Sequence, residues 1–259
     1  MFSFWRKKRF RFLAVSFLLT SLLVAQTLPQ YQIELFPILV LPAASLLLLP
    51  LALGRLRGVE WLTFPILPFS LALGTALGQW FFPNFHPFVK AASWLAFFTG
   101  FYLLLLALNI FKVGRSRKES IPLEKAAKPV VFMAAFAAAF LLLTALYKVG
   151  LGAILNSVLI FGLTFILATD AFWFLTTADL LERRFFAAGA LLALAAVQIT
   201  LAFSFFPWKV HLRGISEATF FYSALGVSRA YFEKHLKYSI VVEYILVSLT
   251  IFAISALVK

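Results

Sequence analysis

Nine long apolar stretches, parted by short polar breaks, leave this chain few folds to choose from. They run Phe12 to Leu28, Leu35 to Gly54, Trp61 to Phe82, Ala91 to Phe111, Val130 to Tyr147, Leu151 to Thr177, Phe185 to Phe206, Ala218 to Phe232 and Tyr238 to Val258. A helix needs about 20 mostly apolar residues to cross a hydrocarbon core of about 30 Å. Hydrophobic residues make up 63% of the chain and charged residues 13%. Soluble domains carry about 45–50% and about 25%, so these residues leave no room for a soluble domain of their own. The pattern predicts an all-α polytopic transmembrane bundle of about nine spans, with residues 1-259 as a single integral membrane domain.

The breaks are not alike. With the N-terminus inside, 18 of the 23 Lys and Arg residues fall on the inner side of the spans. Arg6, Lys7, Lys8, Arg9 and Arg11 precede the first span, Arg55 and Arg57 follow the second, and the loop 112-128 holds six more. Cytoplasmic loops are enriched in Lys and Arg, so this bias predicts a cytoplasmic N-terminus and a C-terminus on the outer side, in the cell membrane. A basic leader before an apolar run is also how a secretory signal begins. Leu23 stands where a cleavage site would carry a small residue, which favours a retained anchor.

Prolines punctuate the second and third spans at Pro37, Pro42, Pro50, Pro65 and Pro68, and each tends to kink its helix. In the basic loop, Ser120, Pro122 and Glu124 predict a helix start, with Leu123 to Lys128 lying at the membrane surface. Span eight, starting at Ala218, reads as short. Ser70, Gly74 and Gly78 recur every four residues and predict a helix-packing stripe, since spans associate through small residues and buried polar contacts. Ala134, Ala135, Ala138 and Ala139, and Gly189 with Ala193, predict two more packing faces.

Polar and ionisable groups within spans are costly and mark candidate functional positions. Here they are Asp170, Gln198, Arg229, Glu243 and Asn156. Depth follows from counting outward from each hairpin turn at about 1.5 Å per residue. Centred near Leu236 and Lys237, the last turn puts Arg229 and Glu243 at one depth and predicts a buried pair. Centred at Arg183 and Arg184, the preceding inner turn puts Asp170 beside Gln198 near the bilayer middle. There Asp170 is either neutral and hydrogen-bonded to Gln198, or a proton-carrying or cation-binding carboxylate facing water. Asn156 and Thr144 fall at matching depth about Val149.

No catalytic constellation or cofactor signature is legible. His86, His211 and His235 are scattered, which gives no metal site, and the chain has no cysteine. Asp170 and Asp179 stand nine apart without the acidic cluster that holds magnesium and diphosphate, and Ser223 lacks the flanking glycines of a nucleophile turn. The net charge of +13 is spread through loops, and no nucleic-acid-binding module is recognisable. Anionic lipid at the cytoplasmic face is the expected partner of the basic residues, with membrane proteins as further candidates.

The block Leu105 to Val131, with Ile121-Pro122-Leu123-Glu124-Lys125-Ala126-Ala127 after the basic loop, resembles a pattern in uncharacterised polytopic bacterial membrane proteins, as does Glu243-Tyr244-Ile245-Leu246. Such families carry no assigned activity, so the resemblance implies no functional residue. Three classes of function stay open. A non-enzymatic membrane subunit or scaffold leads. A small-solute or proton-linked transporter or channel using Asp170 follows, and then a lipid-modifying enzyme. Water-filled access to Asp170 separates the first two.

Overall fold

The computed structural model describes residues 8–27, 36–117, 122–176 and 182–258. Basic leader residues Arg6 and Lys7, and Ser120 and Asp179, lie outside them. The described residues form ten helices and no strand: α1 (Lys8–Gln26), α2 (Phe36–Leu53), α3 (Glu60–Thr63), α4 (Ile66–Phe81), α5 (Pro87–Arg117), α6 (Pro122–Val149), α7 (Ala153–Thr176), α8 (Arg183–Phe203), α9 (Val210–Phe232) and α10 (Tyr238–Leu257). The predicted all-α class is borne out, and each of the nine apolar stretches falls on helix. Among the described residues, seven helical segments are long and apolar enough to cross a membrane. Within α2 the apolar stretch Ile38–Leu53 is shorter, and α9, which carries Arg213, Glu217 and Arg229, stands outside that set.

Two local expectations need correcting, whereas the proline kink expected in the third span is present. There α3 ends at Thr63 and α4 begins at Ile66 with a turn at Phe64 and Pro65, and the two still make one membrane-length segment, Glu60–Phe81. By contrast, α2 runs unbroken through Pro42 and Pro50. The run Leu123 to Lys128 is not a separate surface segment but the opening of α6, which begins at Pro122 and continues through Pro129. A proline at the first helical position costs nothing, because its missing N–H would have no partner there. The helix that carries span eight is longer than its apolar stretch. Helix α9 starts at Val210 and its 23 residues reach about 34 Å.

The chain packs as two compact units, residues 1–134 and 135–259, with the boundary inside α6. In the first, α2 lies chiefly against α4, and α1 against α5 and α2. Ser70 and Gly74 of the small-residue stripe are buried and Gly78 is half-buried. Gln79 Nε2 donates to Ser93 Oγ at 2.8 Å, joining α4 to α5. Where α2 ends, Lys112 Nζ donates to the carbonyls of Leu53 (2.7 Å) and Arg55 (2.8 Å), covering helix-end acceptors that have no intrahelical donor.

In the second unit the main layers are α7 on α8 and α9 on α10. The connection from α6 to α7 is only residues 150–152, and it turns through Gly150 (φ +72°) and Gly152 (φ +81°), a region side chains disfavour. Helices α9 and α10 are joined by two serine pairs, Ser216–Ser255 and Ser223–Ser248, each at 2.9 Å. Gly189 brings α8 against α7 so closely that a Cβ there would stand 2.4 Å from Thr169 Oγ1 and 3.3 Å from the Phe165 carbonyl. A Cβ at Gly162 on α7 would meet nothing within 4 Å. Gly189→Leu should therefore destabilise the protein by about 1–3 kcal/mol through overpacking, whereas Gly162→Leu should be close to neutral. Thermal unfolding of both variants in one detergent checks this, and equal midpoints would contradict the packing.

Candidate functional site

The most concentrated polar chemistry in the second unit lies at one end of its helices. Tyr147 sits in the last turn of α6, Thr200 in the last turn of α8, and Arg213 with Glu217 in the first two turns of α9. The Tyr147 hydroxyl donates to Glu217 Oε1 and lies 3.3 Å from Thr200 Oγ1. Thr200 Oγ1 lies 3.3 Å from Glu217 Oε2. Arg213 Nη2 donates to the Thr200 carbonyl at 2.7 Å, and its Nε stands 3.7 Å from Glu217 Oε1. The guanidinium carbon also lies 3.9 Å from the Tyr147 ring centroid, in cation–π geometry.

The Glu217 side chain is 3% exposed and that of Arg213 is 16% exposed. Taking a carboxylate out of water costs several kcal/mol unless charge and hydrogen bonds replace its hydration. Here one tyrosine, one threonine and one arginine supply them. The cluster ties three helices together, and the aromatic group Phe203, Trp208 and Phe252 packs at the same end.

With span eight starting at Ala218, Glu217 falls just outside it and is not among the predicted positions, although the sequence carries two signals for it. Arg213 and Glu217 are four apart, the spacing that faces two side chains together on a helix. Counting outward from the Pro207 turn also puts Thr200 level with Arg213.

The predicted pairs resolve differently. Arg229 forms its ion pair with Glu233, the residue that caps the C-terminus of α9, at 3.3 Å. Glu243 is exposed on α10, so the expected Arg229–Glu243 pair is not formed. The depth was right, because Ser223 meets Ser248 and Gly226 packs on Tyr244. Counting from a turn fixes level but not which way a side chain faces, and Tyr244 takes the position facing α9.

Asp170 is 1% exposed, but its expected hydrogen bond to Gln198 is absent and Gln198 is exposed. Thr169 lies against Gly189, so Asp170 is level with the second turn of α8 rather than with Gln198. Asn156 is buried, and its Oδ1 has no hydrogen-bond partner among the described residues. Thr144 does not face it, since Thr144 packs on Gly214 of α9. The three histidines are exposed. Among the described residues no group of three His, Asp or Glu side chains is arranged to hold a metal.

These features define an all-α protein with seven membrane-length apolar helices and a buried polar cluster joining helix ends. Over residues 20–258 the chain matches the family described as protein of unknown function (DUF5656), and it belongs to that family. The resemblance to an uncharacterised family is thereby borne out. No curated protein and no solved structure matches the chain.

The cluster makes a quantitative demand. Glu217→Leu strands Arg213 as a nearly buried cation, and removing one partner of such a pair costs about 3–5 kcal/mol. Adding Arg213→Leu should recover most of that loss. A thermal-unfolding double-mutant cycle in detergent reads the coupling directly. If the double variant loses the sum of the two single losses, the residues do not act as a pair.

Proposed function

We propose that this protein is a multi-pass integral protein of the cell membrane, with its N-terminus cytoplasmic, and that it acts as a non-enzymatic membrane subunit or scaffold. The observation that carries this reading is the burial of Asp170. A transported proton or cation needs a watered path to its carboxylate, and Asp170 is 1% exposed, set among the buried side chains of Ala171, Phe172, Trp173 and Phe174. The other buried acid, Glu217, spends its oxygens on Tyr147 and Thr200 and lies beside Arg213. Intramembrane polar groups so engaged hold helices together.

The membrane reading draws on the seven membrane-length helices, and the orientation on the crowding of basic residues into alternate breaks. The experiment is reconstitution into liposomes loaded with a pH-sensitive dye, for the unaltered protein and Asp170→Asn. Under an imposed pH gradient and potential, both should pass protons no faster than protein-free liposomes. Flux through the unaltered protein that falls in Asp170→Asn would overturn the scaffold reading in favour of a proton-linked transporter.

A further inference from the structure

The first unit carries a basic recess that its own packing leaves unsatisfied. Between α2 and α3 the chain turns through residues 54–59 and opens a recess of about 490 Å³, lined by Arg55, Leu56, Arg57, Gly58 and Trp61. Arg55 and Arg57 are both exposed, and neither guanidinium has an ion pair or hydrogen bond among the described residues. The nearby acid, Glu60, is otherwise engaged: its Oε2 accepts the Arg57 backbone N–H at 3.0 Å. Lys112, held on the carbonyls of Leu53 and Arg55, adds a further cation, and Lys8, Arg57 and Glu60 all lie within its electrostatic range. Four cations thus surround the turn against one carboxylate.

The wall beside the arginines is apolar. Trp61 is 57% exposed and Leu62 is 63% exposed. An indole next to charge, on a helix entering an apolar layer, belongs at a membrane–water interface. Unpaired guanidinium groups present planar sets of donors that match phosphate oxygens. A ligand suited to both halves carries a phosphate for the arginines and an apolar portion for Trp61 and Leu62.

We propose that this recess binds the phosphodiester head group of an anionic phospholipid in the cytoplasmic leaflet, with Arg55 and Arg57 on the phosphate and Trp61 and Leu62 against the start of the acyl chains. The proposal rests on the membrane reading above, and it turns a general attraction of basic loops for the leaflet into one site. A zwitterionic lipid offers the same phosphate but brings its own cation into a recess already rich in positive charge, so it binds less well.

The test is native mass spectrometry of the full chain in detergent, titrated with phosphatidylglycerol, phosphatidylcholine or inorganic phosphate. The unaltered protein should retain phosphatidylglycerol in clear preference to phosphatidylcholine, and millimolar inorganic phosphate should not displace it. In Arg55→Gln/Arg57→Gln the affinity for phosphatidylglycerol should fall on the order of tenfold to thirtyfold, the preference should vanish, and the unfolding midpoint in lipid-free detergent should stay unchanged. Arg55→Lys/Arg57→Lys keeps the charge without the planar donor set and should bind at an intermediate level, which guards against a folding defect in the glutamine variant. Equal retention of the two lipids, an unchanged preference in the glutamine variant, or displacement by inorganic phosphate alone would overturn the proposal. A chain found in the membrane fraction without any lipid preference refutes the recess alone, whereas a chain absent from membranes refutes the reading beneath it.

Discussion

Hydrocarbon solvates neither a peptide group nor a charge, and a chain whose described residues form seven membrane-length apolar helices is suited to that constraint. A backbone in such a medium must bond to itself, and helix is the form in which a single segment does so. Helices that share an apolar solvent gain nothing from the hydrophobic effect by meeting, so what joins them must be close approach and polar contact. Both appear in residues 135–259. Gly189 lets α8 lie on the backbone of α7, and paired serines join α9 to α10.

The cluster of Tyr147, Thr200, Arg213 and Glu217 applies the same logic to charge. An arginine and a glutamate one turn apart on α9 would each be expensive to bury. Together, with a hydroxyl from α6 and a hydroxyl and carbonyl from α8, they become a junction between three helix ends. The groups must converge from three helices to be satisfied, which ties the registers of those helices to one another. The contrast with Arg55 and Arg57 is informative. Where Arg213 and Glu217 meet in mutual contact, the turn after α2 leaves two guanidinium groups with no ion pair or hydrogen bond among the described residues.

Much of the fold was legible because hydropathy reports the medium, and the medium permits little besides helix. Boundaries were legible where the residues named them, as at Pro122. Placement of polar groups was legible in part. Counting from the last turn gave the correct level for Arg229 and Glu243, but Tyr244 and not Glu243 faces α9, since direction around a helix depends on which stripe packs. Between α7 and α8 the count failed for another reason. The basic pair Arg183 and Arg184 starts α8 and is not the centre of the hairpin, and the true register shows only in the contact of Thr169 with Gly189. Glu217 was missed because a charged residue at the margin of an apolar stretch reads as loop. Helix α9 extends two turns past that margin, because pairing with Arg213 and Tyr147 makes the charges affordable there.

The central claim is that the two buried carboxyl groups of the described residues are packed away from water, with Glu217 joining helix ends. The chain has no cysteine, so a single introduced thiol reports its own surroundings without background. Asp170→Cys and, as an exposed reference, Val149→Cys would be treated in native membranes with a charged, membrane-impermeant thiol reagent applied to each side in turn. The account predicts modification of the reference and none at position 170 from either side. Modification at position 170, from one side or both, would reveal a watered path to Asp170 and contradict it.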